Sequence, residues 1–189
     1  VIVVNFSNPN PKVKINDYME HINEVVGEIS GKVYIISHSL GTAIVEKYIT
    51  KFSPKLDAVV FLTPSLVIKR LQKAFLVNFH NIMRSKSCFY FSNRLDESVE
   101  SVYLDKFTDE SRKIELLMIR KKVPVGYEWN YKTLVMGSLN DNCMPISVLL
   151  DTAKIFKAKL IIYQEHCHNM MLDPAWEIVA EDILGFILV

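Results

Sequence analysis

Three kinds of feature are scarce in these 189 residues. No apolar run approaches the roughly 18 residues that span a bilayer, which argues against an integral membrane segment, and no signal peptide is visible. Cysteine is sparse: Cys88, Cys143 and Cys167 are odd in number and widely spaced. That pattern argues against a disulfide framework and fits a reducing, cytoplasmic compartment. Net charge is nearly absent at +1, so neither nucleic acid nor an anionic membrane is the expected main partner. Internal repeats and low-complexity segments are missing as well. What is present is a globular composition, 50% hydrophobic and 23% charged, in a chain long enough for one domain and short for two.

The hydrophobic pattern divides the chain into three parts. Val1 to Asn5 reads as a strand, followed by the loop residues Ser7 to Pro11. Asn16 is placed to cap a helix carrying Tyr18, Ile22, Val25, Val26 and Ile29 on one face, with Gly31 at its stop. A strand over Val33–Ser37, a helix over Leu40–Phe52 and a strand over Leu56–Leu62 follow. Near-continuous apolar strands alternating with helices predict a parallel sheet covered on both faces. The rhythm then breaks from Ser65 to about Trp129, where helical patterns dominate over Leu66–Leu76 and from Thr108 onward, and Cys88–Phe91 is ambiguous. An insertion this long between two strands predicts a helical cap. The alternation resumes with a strand over Lys132–Met136, a helix over Ile146–Phe156 and a strand over Leu160–Tyr163. A last helix is expected to be capped by Asp173, with Pro174 at its first position.

The chemistry centres on Ser37-His38-Ser39-Leu40-Gly41, at the junction of a predicted strand and helix. It differs by one residue from Gly-x-Ser-x-Gly, in which small residues let the chain turn sharply and project a serine hydroxyl above the sheet. The plainer alternative is a strand, a short turn and a helix with a serine cap. A serine is a weak nucleophile unless a base takes its proton and a third group orients that base. Two later loops offer such groups in the order serine, acid, base. Asp141 follows the Lys132–Met136 strand, although an Asx-turn or helix cap would also explain it. His168 follows the last strand, with His166 as a competitor two positions away. His166, Cys167 and His168 with Cys143 and Cys88 match no standard zinc spacing, so no metal or other cofactor is expected. The basic residues Lys69, Arg70, Lys73, Arg84 and Lys86 read as a solvated face.

With these segments in place, the chain resembles the α/β-hydrolase superfamily, especially its capped esterases and lysophospholipase-like members. The matching pieces are Ser37–Gly41, Gly137–Pro145 and the block His168-Asn169-Met170-Met171-Leu172-Asp173 with Trp176. That last block favours His168 over His166. The resemblance implies a single α/β domain over 1–189, a mostly parallel three-layer sheet with a cap over about 65–129. It implies Ser39 as nucleophile, Asp141 as orienting acid and His168 as base, with the Leu40 N–H as one oxyanion donor. The strand that supplies the second donor in such proteins has no counterpart here. Either the sequence begins downstream of it or the protein lacks that donor. Ser37 also stands where glycine is commoner. The implied reaction is hydrolysis of a carboxylic ester, acyl-lipid or lysophospholipid-like, through an acyl-enzyme. Acyl transfer on the same fold and a catalytically impaired binding protein are the alternatives.

Overall fold

The apolar segments Ala58–Leu62 and Thr133–Ser138 form the centre of a parallel sheet, each bonded on both sides and covered on both faces. The computed structural model describes residues 1–4, 14–65, 90–106 and 128–189. Within them β1 (Tyr34–His38), β2 (Ala58–Leu62), β3 (Thr133–Ser138) and β4 (Lys159–Tyr163) make one parallel sheet in the order β1-β2-β3-β4. The register sets Ile36 beside Val60, Val60 beside Leu134 and Leu134 beside Lys159. Every residue of β2 and β3 is buried, as the unbroken apolar runs require.

Helices α1 (Ile15–Gly27), α2 (Gly41–Phe52), α3 (Glu97–Leu104), α4 (Ile146–Phe156) and α5 (Trp176–Ile187) complete the described elements, with a 3₁₀ turn at Met170–Leu172. The strand order advances in one direction, so crossovers of the usual right hand put α2 and α4 on the same face. There Ile44, Tyr48 and Ile49 of α2 and Leu149 and Phe156 of α4 pack on Val59, Phe61 and Val135, with Tyr18 and Ile22 of α1 behind them. The opposite face, Ala58, Val60, Leu62, Leu134 and Met136, is covered by Met170 and by Val179, Ile183 and Phe186 of α5. Alternate residues of β2 thus serve two cores, and the architecture is α/β in three layers.

Several sequence boundaries need correction; the first helix, for one, ends at Gly27, short of Ile29 and the expected stop at Gly31. Val1–Val4 form no strand: the run is apolar but has no ladder partner among the described residues, and only Val4 packs on the core. Asn16 lies inside α1, because Asp17 does the capping, its carboxylate accepting the Lys14 N–H at 2.7 Å. The last helix starts at Trp176, after Pro174, because the Asp173 carboxylate accepts the Ala175 N–H at 3.1 Å and turns the chain first. β3 runs on through Gly137 and Ser138, past the expected end at Met136. Of the expected cap, α3 and its flanks are described. The helices expected over Leu66–Leu76 and from Thr108, together with Cys88 and Phe89, lie outside the described residues.

Gly137 explains how β3 is kept against α4 near the site. A Cβ there would sit 2.2 and 2.5 Å from the two terminal carbons of Leu149, a fully buried side chain. Overpacking of this kind costs about 1–3 kcal/mol. Gly137→Ala is expected to lower the melting temperature by roughly 2–4 °C for each kcal/mol lost, measured by thermal denaturation.

Candidate active site

Parallel strands end on the same edge of the sheet, and the residues singled out in the sequence lie just beyond those ends. Ser39 follows β1, Thr63 follows β2, Asp141 follows β3 and His168 follows β4. The strand-end ladder continues into the turns and fixes their register. The Ser39 N–H donates to the Leu62 carbonyl at 3.0 Å, and the Thr63 N–H to the Met136 carbonyl at 2.7 Å.

Ser39 turns the chain with φ of 47°, in the left-handed region that L residues avoid. Holding a non-glycine residue there costs of order ~1–3 kcal/mol and persists only when its surroundings enforce it. A Cβ on Gly41 would meet the Ser37 Cβ at 3.6 Å, an ordinary contact distance. Ser37 is therefore accommodated where glycine is commoner. After the turn, Leu40 adopts helical angles at the start of α2, and its N–H donates to no acceptor among the described residues. That free N–H at the positive end of the helix dipole can stabilise a developing oxyanion.

Asp141 resolves its two readings by using its oxygens separately. Oδ1 accepts the N–H groups of Cys143 and Met144 at 2.7 and 2.8 Å, which is the Asx-turn chemistry. Oδ2 accepts from His168 Nδ1 at 2.9 Å, and both side chains are buried. The turn thus fixes the carboxylate rotamer that faces the imidazole. A carboxylate only accepts, so Nδ1 carries the proton and Nε2 of the neutral ring holds the free lone pair. Burial opposes charging of His168. The Asp141 hydrogen bond, the neighbouring Cys143 side chain and the Asp141 charge outweigh it and raise the imidazole above its ordinary value of 6.5.

The structure joins Asp141 and His168 directly. It brings Ser39 to the same edge, one residue from His38, whose ring centroid lies 4.9 Å from that of His168. The Ser39 hydroxyl and the His168 ring are not hydrogen-bonded. His166 points elsewhere: Nε2 donates to the Ala175 carbonyl at 3.2 Å and the ring packs on Tyr163. Cys167 is buried, and burial followed by the Asp173 charge pushes its thiol up to about 11, so it stays protonated. Among the described residues no cluster of His, Cys, Asp and Glu is placed to hold a metal ion.

Several neighbours of the site carried no signal in the sequence. The Tyr90 ring lies 5.8 Å from that of His168, and its carbonyl accepts the Asn169 N–H at 3.0 Å. Arg94 reaches Glu165 at 3.0 Å and Asp173 at 2.5 Å, bracketing the histidine loop from the inserted segment. The two pairs differ in weight. Glu165 is 72% exposed, whereas the Asp173 side chain is fully buried. Removing the cation from a buried carboxylate costs about 3 kcal/mol, whereas an exposed pair is worth less than about 1 kcal/mol. Arg94→Ala is therefore expected to lower the melting temperature by roughly 6–12 °C, and Glu165→Ala by far less, in parallel melts.

A family profile described as "Serine hydrolase" matches residues 5–177. No curated protein sequence matches the chain. Among solved structures, similarity extends to an esterase from Exiguobacterium antarcticum, at 13% identity and TM-score 0.70 over 93% of this chain and 74% of that one. A bromoperoxidase from Bacillus anthracis is similar at 14% identity and TM-score 0.71, over 93% and 75% of the two chains. A monoacylglycerol lipase from Paleococcus ferrophilus is similar at 17% identity and TM-score 0.59, over 93% and 75%. By the profile match across most of its length the chain belongs to the serine hydrolase family, and by its parallel sheet and its likeness to these structures it has the α/β-hydrolase fold.

Proposed function

We propose that the protein hydrolyses a carboxylic ester through an acyl-enzyme on Ser39. The observation that carries this reading is the Asp141–His168 hydrogen bond at the sheet edge where Ser39 is held in its left-handed turn. In the proposed cycle His168 Nε2 takes the Ser39 proton as the hydroxyl attacks the ester carbonyl. Asp141 keeps the Nδ1–H tautomer in place and stabilises the imidazolium that forms. The Leu40 N–H donates to the carbonyl oxygen as it becomes an oxyanion. His168 then passes its proton to the departing alcohol, and water, activated by the same base, releases the acid.

An apolar acyl group is the proposed substrate class. The names of two structurally similar proteins, an esterase and a monoacylglycerol lipase, support an ester substrate. No helix among the described residues is long and apolar enough to cross a membrane. The test is turnover of p-nitrophenyl esters from acetate to dodecanoate. Expected are a product burst stoichiometric with enzyme and a kcat/KM that peaks at medium chain length. A folded protein that turns over none of the series would overturn the reading.

A further inference from the structure

We propose that His38 and Thr63 are positioning residues that hold His168 in place through its main-chain carbonyl. This inference rests on the reading of His168 as the base. The carbonyl oxygen of His168 accepts two hydrogen bonds from side chains 130 and 105 residues away in sequence. His38 Nε2 donates at 3.0 Å and Thr63 Oγ1 at 3.1 Å. A carbonyl has two lone pairs, so the pair of donors saturates it. A carbonyl cannot donate, so His38 must carry its proton on Nε2. Burial, then repulsion from His168, push His38 down to about 3, against the opposing pull of its own hydrogen bond. It stays a neutral donor throughout the working range.

The two donors come pre-spaced. His38 ends β1 and stands beside Leu62, the last residue of β2, and Thr63 follows it. The spacing of adjacent strands, about 4.8 Å, therefore sets the grip on the carbonyl. The next residue is also held, because the Asn169 N–H donates to the Tyr90 carbonyl. With the main chain pinned on both sides and Asp141 on Nδ1, the ring has little freedom left.

Thr63 carries the more telling mark. Its φ is 40°, a left-handed angle that is a true outlier for a β-branched residue. Its N–H is satisfied by the Met136 carbonyl, so the ladder asks nothing of the side chain, and glycine or asparagine would suit the backbone better. What neither would supply is the hydroxyl bond to His168. Strain of this kind is retained where the surroundings use the residue. His38 adds a second coupling: it directly precedes Ser39, so the turn carrying the nucleophile and the loop carrying the base are tied through one side chain.

The test compares Thr63→Gly, Thr63→Ser, His38→Ala and His38→Gln with wild type. Readouts are kcat and KM on one ester, the rate of fluorophosphonate labelling at Ser39, and the pH profile of kcat/KM. Small misplacements of a catalytic group cost on the order of 10- to 100-fold, so Thr63→Gly and His38→Ala should lose about that much in kcat and labelling rate, with KM nearly unchanged. Their acid limb should move back toward 6.5, the ordinary value for His168, as its pairing with Asp141 loosens. Thr63→Ser and His38→Gln keep a donor and should stay within about threefold of wild type. Glycine tolerates the backbone at position 63, so the slow variant should still melt cooperatively. Wild-type kcat and pH profile in Thr63→Gly, or a Thr63→Ser as slow as Thr63→Gly, would overturn the inference. Absence of labelling in the wild-type protein would instead count against Ser39 and leave a different signature.

Discussion

Ser39→Ala is expected to lower kcat on a carboxylic ester by on the order of 10⁶-fold, to the rate left by binding and the oxyanion donor alone. Alanine keeps the Cβ and the left-handed turn, whose N–H and carbonyl remain bonded to Leu62 and Ser65. It removes only Oγ. The loss should therefore appear in chemistry and not in folding. Ser39→Gly separates the two further. Glycine adopts φ of 47° without penalty. This variant should be as inactive as alanine but more stable by about 1 kcal/mol, the strain that the serine holds. A melting curve for each variant, read beside its ester turnover, checks both statements. Activity surviving in Ser39→Ala would remove the proposed nucleophile.

Asp141→Asn is expected to cost about 10⁴-fold in kcat while leaving the loop folded. Asparagine retains one oxygen to accept the Cys143 and Met144 N–H groups, so its NH₂ turns toward His168. An NH₂ facing Nδ1 demands the lone pair there and forces the proton to Nε2. The ring can then no longer accept from Ser39. The pH profile should change with the rate. In wild type, His168 becomes a competent base only as pH rises through its raised pKa, so kcat/KM climbs on the alkaline side of 6.5. In Asp141→Asn the residual activity should lose that displacement.

The same two histidines give stability a defined pH dependence. The Asp141–His168 ion pair contributes fully below 6.5, where the unfolded chain is also protonated. Its contribution is lost as pH rises through the raised folded value. His38 acts in the other direction: below 6.5 the unfolded chain takes a proton that the folded protein refuses until about 3. Between those values the unfolded state binds the extra proton, so this contribution is present above 6.5 and is lost as pH drops toward about 3. Together they place the maximum of the histidine contribution near 6.5, and Asp141→Asn should flatten the alkaline side of a plot of melting temperature against pH.

Strand and helix order was legible because each buried strand is an unbroken apolar run and each helix a periodic one. Ile146–Phe156 falls at the same boundaries in sequence and structure. The ends were harder to read because they depend on side-chain hydrogen bonds that no pattern encodes. Asp17 and Asp173 each shift a helix start in this way. Ser39, Asp141 and His168 stood out because their chain order and loop positions are set by topology. His38, Thr63, Tyr90 and Arg94 did not, since their roles come from contacts across at least 71 residues of sequence. The apolar run Val1–Val4 was misleading for the converse reason: hydrophobicity permits a strand but supplies no partner for its backbone.

The central claim is that Ser39 is the nucleophile activated by His168. The most direct measurement is peptide mapping of the intact protein after brief exposure to a fluorophosphonate. A single adduct is expected on Ser39, lost in Ser39→Ala and formed far more slowly in His168→Ala. An adduct on another residue, or ester turnover that continues at full rate while Ser39 stays unmodified, would contradict it.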